Sequence, residues 1–252
     1  MSGSDLGSSK EGVIVSIDIK TTILHYKPLA DRKQNMIRQM EKHGFTNYSF
    51  FTDYDGNELT NEDVRKYCGR IKDEPDRVRE KTSIYERIIP NARSTLRELN
   101  MGEISLAVKY GKLFEQFASS DDEYFLLFED DVVLCENFEH HFKNYLENTP
   151  SDWDVIYFGS GAGLTPQTIH GIPISPNKTS YLMSHPASRC TDSIIIKRKA
   201  AADLVRTWFP FNLAADWEIS YQHYLHNHKV YWWEPSLVRQ GSEHGIFKST
   251  LR

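Results

Sequence analysis

Three adjacent carboxylates, Glu129, Asp130 and Asp131, close the apolar run Tyr124-Phe125-Leu126-Leu127-Phe128 and are followed by Val132. A continuous apolar run of this length reads as a central strand covered on both faces. Alternate residues of a strand point to the same side, so Glu129 and Asp131 are expected to share one pocket while Asp130 faces the other way. Carboxylates this close repel one another and are costly to desolvate. At the exit of a buried strand they need a cation, a basic partner or water. A hard divalent ion, Mg2+ or Mn2+, suits oxygen ligands and can also hold a diphosphate. The plainer alternative is a solvated acidic turn, since short motifs are weak on their own. The location favours a ligand, because open α/β sheets bind theirs outside the carboxyl ends of strands.

Three other groups of residues invite a chemical reading. Asp31 and Arg32 begin a helix, where a base or ribose can be held by a carboxylate, a guanidinium and backbone N–H groups; simple helix-end electrostatics explains Asp31 equally well. Asp216 and Glu218 open a late helix. Asp216 suits the cap position, worth ~1 kcal/mol, and it also suits a general base that takes a proton from an attacking hydroxyl, with Glu218 as the second choice. His244, Lys248 and Ser249 lie in a glycine-flanked tail. There His244 can complete a metal site while Lys248 and Ser249 hold phosphates; an exposed terminal histidine is the simpler reading. His223, His226 and His228 lack partners at zinc spacing and read as exposed helix-end residues. Of Trp232 and Trp233, one is expected to face the core.

These side chains need a scaffold. Val13 to Ile19 alternates like a strand, Leu29, Met36, Ile37 and Met40 mark one helix face ended by Gly44, and Tyr48 to Phe51 reads as a second strand. Strand–helix–strand is the unit of parallel sheets. Residues 57–100 are polar and give no clear element. Leu106, Tyr110, Leu113 and Phe117 then repeat at helical spacing on a segment apolar enough to lie between other elements. Val155 to Phe158, Ser193 to Ile196 and Lys229 to Trp233 read as strands, and Lys197 to Trp208 and Asp216 to Asn227 as helices. The segment between Gly159 and Ser188 is long for a structureless loop. The expectation is a flexible tail over residues 1–12 and one mixed α/β domain over 13–252.

Composition bounds the partners. The 252 residues are 39% hydrophobic and 26% charged, with a formal net charge of -5, an ordinary globular balance with no pull toward nucleic acid. No run reaches the ~20 apolar residues of a membrane span, and the N-terminus has no apolar signal region. Three scattered cysteines, Cys68, Cys135 and Cys190, fit a reducing compartment with at most one disulfide. The sequons at Asn47 and Asn177 read as chance matches without an export signal. A cytoplasmic or membrane-peripheral protein is expected.

Several motifs in order resemble glycosyltransferase family 25, the group of lipopolysaccharide-type and procollagen galactosyltransferase-like enzymes. His25-Tyr26-Lys27-Pro28-Leu29-Ala30-Asp31-Arg32 is similar to the family's opening segment, with His25 where the family has Asn. Gly102-Glu103-Ile104-Ser105-Leu106-Ala107 is similar to its helix start, with Ser105-Leu106 in place of Gly-Cys. Leu127 to Val132 is similar to its acidic metal motif, and Asp216-Trp217-Glu218 to its later acidic segment. The resemblance implies a single Rossmann-like A-type glycosyltransferase (GT-A) domain with a mixed, mainly parallel sheet. It implies a nucleotide-sugar donor, a UDP-sugar, and Mn2+ or Mg2+. His25, Asp31, Arg32 and Asp130, with His244, Lys248 and Ser249 from the tail, would contact the donor. Asp131 would bind the ion, with Glu129 and His244 assisting, and Asp216 would serve as base for inverting transfer to a glycan, glycolipid or glycoprotein hydroxyl. Two other classes stay in view. A sugar nucleotidyltransferase usually needs a Gly-rich basic loop near the first strand, and Ser16 to Thr21 has no glycine. A non-catalytic carbohydrate-binding module leaves the acidic strand end unexplained.

Overall fold

The computed structural model describes residues 17–86, 97–167, 169 and 171–248, without the side chains of residues 84 and 85. Among the described residues the first elements are β1 (Thr21–Leu24), α1 (Ala30–Lys42) and β2 (Tyr48–Phe51), and β1 and β2 pair in parallel. Met36 and Met40 bury one face of α1, and Gly44 at φ 68° ends the helical path. The strand expected over Val13 to Ile19 falls largely outside the described residues, and Ile17 to Ile19 form no regular strand. Ile17 makes only an isolated bridge to Phe45, and residues 13–16 lie outside the described residues. Residues 57–100 hold α2 (Asn61–Tyr67) and α3 (Pro75–Glu86). Their largely polar sequences hide them from a reading based on apolar periodicity.

Next come α4 (Met101–Ala118) and β3 (Tyr124–Glu129). A capping box starts α4: Asn100 Oδ1 accepts the Glu103 N–H at 3.0 Å, and Glu103 Oε2 accepts the Asn100 N–H at 2.9 Å. The sequence reading also assigned no element at β4 (Val132–Leu134), at α5 (Phe138–Asn148) or, near the end, at β10 (Val238–Gln240), and none at β6 (Ile172–Pro173) and β7 (Ser180–Leu182) within the segment from Gly159 to Ser188. The strands are too short for a legible period. Between α5 and β10 lie β5 (Val155–Tyr157), β6, β7, β8 (Ser193–Lys197), α6 (Arg198–Val205), α7 (Ala215–Leu225) and β9 (Val230–Trp233).

Among the described residues an eight-stranded sheet runs in the order β2-β1-β3-β8-β5-β9-β7-β6, with only β7 and β8 against the common direction. The mixed, mainly parallel α/β sheet expected from the sequence is present. Alternation along its strands builds a core on each face. Phe125 and Leu127 pack with α4, α6 and α7, while Leu126 and Phe128 pack with α1 and α5. Trp232 and Trp233 are both fully buried, one in each core, because β9 is covered on both sides. The expectation that only one faces the core is corrected. His223 and His228 are buried rather than exposed, paired Nδ1 to Nδ1 at 3.0 Å, with His223 Nε2 2.8 Å from the Tyr157 hydroxyl.

Candidate active site

β1 and β3 are neighbours in parallel register, with Leu24 opposite Glu129. Both strands therefore release their chains at the same edge, the position where α/β sheets bind ligands. His25 Nδ1 and Asp130 Oδ2 meet at 2.7 Å, and the Tyr26 N–H donates to the same oxygen at 3.1 Å. Arg32, buried on the first turn of α1, donates to Asp130 Oδ1 at 2.8 Å and lies 3.9 Å from Asp131 Oδ2. From α1, Gln39 also holds the chain beyond the acidic turn. Its Nε2 donates to Val132 O at 2.8 Å, and its Oε1 accepts the Leu134 N–H at 2.7 Å.

β3 ends at Glu129, and Asp130 and Asp131 form a turn rather than continuing the strand. The alternation expected for this triplet is thereby corrected, since all three carboxylates line one cavity of about 720 Å³. They differ in what holds them. Burial alone would raise Asp130, but His25, Arg32 and the Tyr26 amide hold its carboxyl below the ordinary range. Glu129 Oε1 accepts the Tyr110 hydroxyl at 3.0 Å and the Thr191 hydroxyl at 2.8 Å. Burial and the Asp131 charge push Glu129 well above the usual carboxylate range. Asp131 is raised by burial, with Ser242 and Arg32 opposing, and its Oδ1 is buried with no hydrogen-bond partner. Behind them, buried Asp192 is pushed up to about 7 by burial and by Asp131, and its Oδ2 also lacks a partner.

The opposite wall is one face of α4: Gly102, Ser105, Leu106 and Lys109 recur at helical spacing. Lys109 is buried, donates to His25 O at 2.6 Å and to Asp55 Oδ1 at 2.5 Å, and adds a fixed positive charge. Sequence reasoning passed over Lys109, Tyr110 and Asp192. The available signal was a lysine, Lys109, between the apolar residues Val108 and Tyr110 of α4.

The small β4–β10 pair brings the tail beside the acidic turn. Gly241 donates to Asp131 O at 2.7 Å, and a Cβ there would stand 2.6 Å from the Phe247 ring and 2.7 Å from Asp131 O. Arg32 Nη2 reaches Lys248 O at 2.5 Å, with the Phe247 ring 5.5 Å from the guanidinium. So Lys248 meets Arg32 through its backbone carbonyl, with its side chain exposed. His244 is exposed on the turn and lines neither this cavity nor the next. Ser249 lies outside the described residues. Asp31 is exposed in the first turn of α1, outside the cavity lining.

A second cavity of about 400 Å³ adjoins the first, and Leu106, Glu129, Gln240 and Glu243 line both. Its far wall carries Asp216 and Trp217 from the start of α7. Asp216 is not the cap residue expected from the sequence, because Ala214 holds that position and Asp216 sits inside the first turn. Burial pushes it up to about 6, although the Trp217 N–H, 3.0 Å from Oδ1, partly offsets this. Glu218 points elsewhere. It is fully buried against Lys81 at 2.6 and 2.8 Å and lines neither cavity.

Among the described residues no three His, Cys, Asp or Glu side chains form a ready-made metal cage. Mg2+ is usually held by one or two carboxylates plus substrate phosphates rather than by such a cage. The orphaned Asp131 Oδ1 fits that mode.

The family described as "Glycosyltransferase family 25 (LPS biosynthesis protein)" matches residues 21–163, more than half of the chain. No curated protein matches the sequence. Similar solved structures include A197 from STIV, at 13% identity and a TM-score of 0.39, covering 88% of this chain and 83% of that one. Mouse xyloside xylosyltransferase 1, apo form, is 8% identical with a TM-score of 0.36, covering 85% and 84%. The inositol-1-phosphate CTP transferase from T. maritima is 10% identical with a TM-score of 0.39, covering 93% and 94%. These are similarities of general outline.

Proposed function

The chain belongs to glycosyltransferase family 25 and is a glycosyltransferase; from that premise we propose that it moves a sugar from a UDP-sugar in the larger cavity to a hydroxyl acceptor in the smaller one, with inversion and with the help of Mn2+ or Mg2+. The observation that carries this reading is the shared boundary. Glu129 lines both cavities, with the rest of the acidic strand end on one side and Asp216 on the other. Holding two reactants in line across such a boundary makes the reaction effectively unimolecular.

Asp131, with Glu129 beside it, would hold the divalent ion. When bound, the ion neutralises the departing diphosphate. The remaining work falls to protein groups. Asp130 fixes Arg32 and His25, so that the guanidinium and the buried Lys109 ammonium add positive charge along the donor cavity. Asp216 accepts the proton of the acceptor hydroxyl as that oxygen attacks the anomeric carbon. With its carboxyl near 6, it is mostly ionised at pH 7 and more basic than a solvent-exposed aspartate. The acceptor is a glycan, glycolipid or glycoprotein hydroxyl. Free Cys68, Cys135 and Cys190 suit a cytoplasmic or membrane-peripheral setting, and no helix among the described residues is long and apolar enough to cross a membrane.

The test is incubation with a panel of UDP-sugars and hydroxyl acceptors, with Mn2+, with Mg2+ and with EDTA, followed by UDP release and product anomeric configuration. Metal-dependent UDP release with an inverted product is expected. Consumption of no nucleotide sugar in the presence of either ion, or full activity in EDTA, would overturn the proposal.

A further inference from the structure

The wall of the smaller cavity is fastened by charge. Lys81 on α3 is fully buried, and its ammonium donates to both oxygens of Glu218 on α7, at 2.6 and 2.8 Å, and to Asn212 Oδ1 at 3.1 Å. Glu218 Oε2 accepts the Asn212 N–H at 3.2 Å, and Asn212 Nδ2 donates to Glu74 Oε2 at 2.9 Å. One step earlier, Gly69 donates to Phe211 O at 2.8 Å, and Phe211 donates to Tyr67 O at 3.0 Å. A Cβ on Gly69 would stand 2.5 Å from Asn212 Nδ2. The segment from Asn212 to Trp217, which lines the cavity, is thus anchored at both ends to the α2–α3 region. Among the described residues none of α3 lines either cavity.

A buried ion pair is a weak way to stabilise a fold, because apolar side chains of similar volume often do as well or better. What it supplies is geometric choice. An ammonium aimed at three acceptors disfavours any other placement of the wall, since moving it strands a buried charge. Placement matters here because Asp216 lies two residues before Glu218 on the same helix. We infer that Lys81 is a positioning residue: through Glu218 and Asn212 it sets the acceptor-side wall that presents Asp216 and Trp217 to the shared boundary. The inference rests on reading the smaller cavity as the acceptor side.

The test compares wild type with Lys81→Met and with the paired Lys81→Met/Glu218→Leu variant, which leaves no lone charge in the interior. Hydrogen exchange, UDP affinity and consumption of UDP-galactose and UDP-glucose in Mn2+ are measured. In wild type, amides 212–218 should exchange far more slowly than the exposed loop around 56–58. In the paired variant, exchange across 211–219 should rise about tenfold, while segments 24–32 and 129–132 and the UDP affinity stay at wild-type values. Turnover should fall about 10²-fold, the scale of a misplacement near 1 Å. Fast exchange of 212–218 in wild type would overturn the inference without any variant. So would a paired variant with wild-type exchange there and wild-type turnover. Absence of turnover in wild type counts against the proposed function instead, and the exchange measurements alone then decide the role of Lys81.

Discussion

Asp130 Oδ1 and Arg32 Nη1 meet at 2.8 Å across 98 residues of sequence, and the other Asp130 oxygen is taken by His25 and the Tyr26 amide. Asp130 is therefore a tie between β1, α1 and the acidic turn, with little left to offer an ion. Removing one partner of a buried pair leaves the other charge unpaired. We expect Asp130→Ala to lose about 3–5 kcal/mol of stability and to weaken UDP binding through displacement of Arg32. Urea unfolding measures the first and calorimetry the second. A loss below about 1 kcal/mol, the ceiling typical of exposed pairs, would show that the tie is not under load.

Unlike its neighbour Asp130, Asp131 has a carboxylate oxygen, Oδ1, that is buried without a partner. Burial also raises its carboxyl, as expected for a group that a cation would bring back down. Asp131→Asn preserves shape and removes the charge. The variant should melt near or above wild type, bind UDP weakly and show no further weakening on addition of EDTA. Wild type should lose UDP affinity in EDTA. Equal EDTA sensitivity in both would place the ion on other residues.

Much of this arrangement was legible because it follows apolar periodicity. The run ending at Phe128 gave β3 and thus the position of the acidic turn, and the apolar stripe of α4 gave the opposite wall. What escaped was set by contacts distant in sequence. Lys109 looks like an interruption of a core helix until the fold places Asp55 and His25 O around its ammonium. β4 and β10 are three residues each, and only their mutual pairing defines them. Asp216 and Glu218 share one helix turn in the sequence, yet the first lines a cavity and the second is sealed by Lys81 from a segment without apolar pattern.

The buried pair His223 and His228 makes a prediction about acid. Burial lowers both imidazoles in the folded state; His228 and His226 lower His223 further, while Asp154 and Asp203 partly offset the effect of burial at His228. The unfolded chain takes up protons near 6.5 while the folded one resists. Their contribution is therefore constant above about 6.5 and is lost as pH falls below it, by up to about 1.4 kcal/mol per pH unit per imidazole. Raised carboxylates such as Asp192 act in the opposite sense, so the comparison must be differential. His223→Gln should melt below wild type at pH 7.5, with the gap narrowing steadily by pH 5.5. A constant gap would mean that His223 is not held neutral by the fold.

Asp216 carries the sharpest prediction. Its carboxyl stands at about 6 because burial raises it more than the Trp217 amide lowers it. A base must be ionised to work, so kcat/KM should rise with pH along a limb centred near 6 and level off above it. The same shift fixes the sign for stability. A folded value above the unfolded one, near 3.9, means that the ionised group opposes folding as pH rises through that interval, and the penalty is complete above about 6. Ala214, not Asp216, holds the cap position, so Asp216→Asn forfeits no cap. It should melt at or slightly above the wild-type temperature at pH 7.5, bind UDP normally and lose transfer by ~10²–10⁴-fold. Its residual activity should show no acid limb near 6. If Asp216→Asn transfers sugar at close to the wild-type rate, or keeps that limb, the proton goes to another group, and the carboxylate shared by both cavities, Glu129, becomes the residue to test.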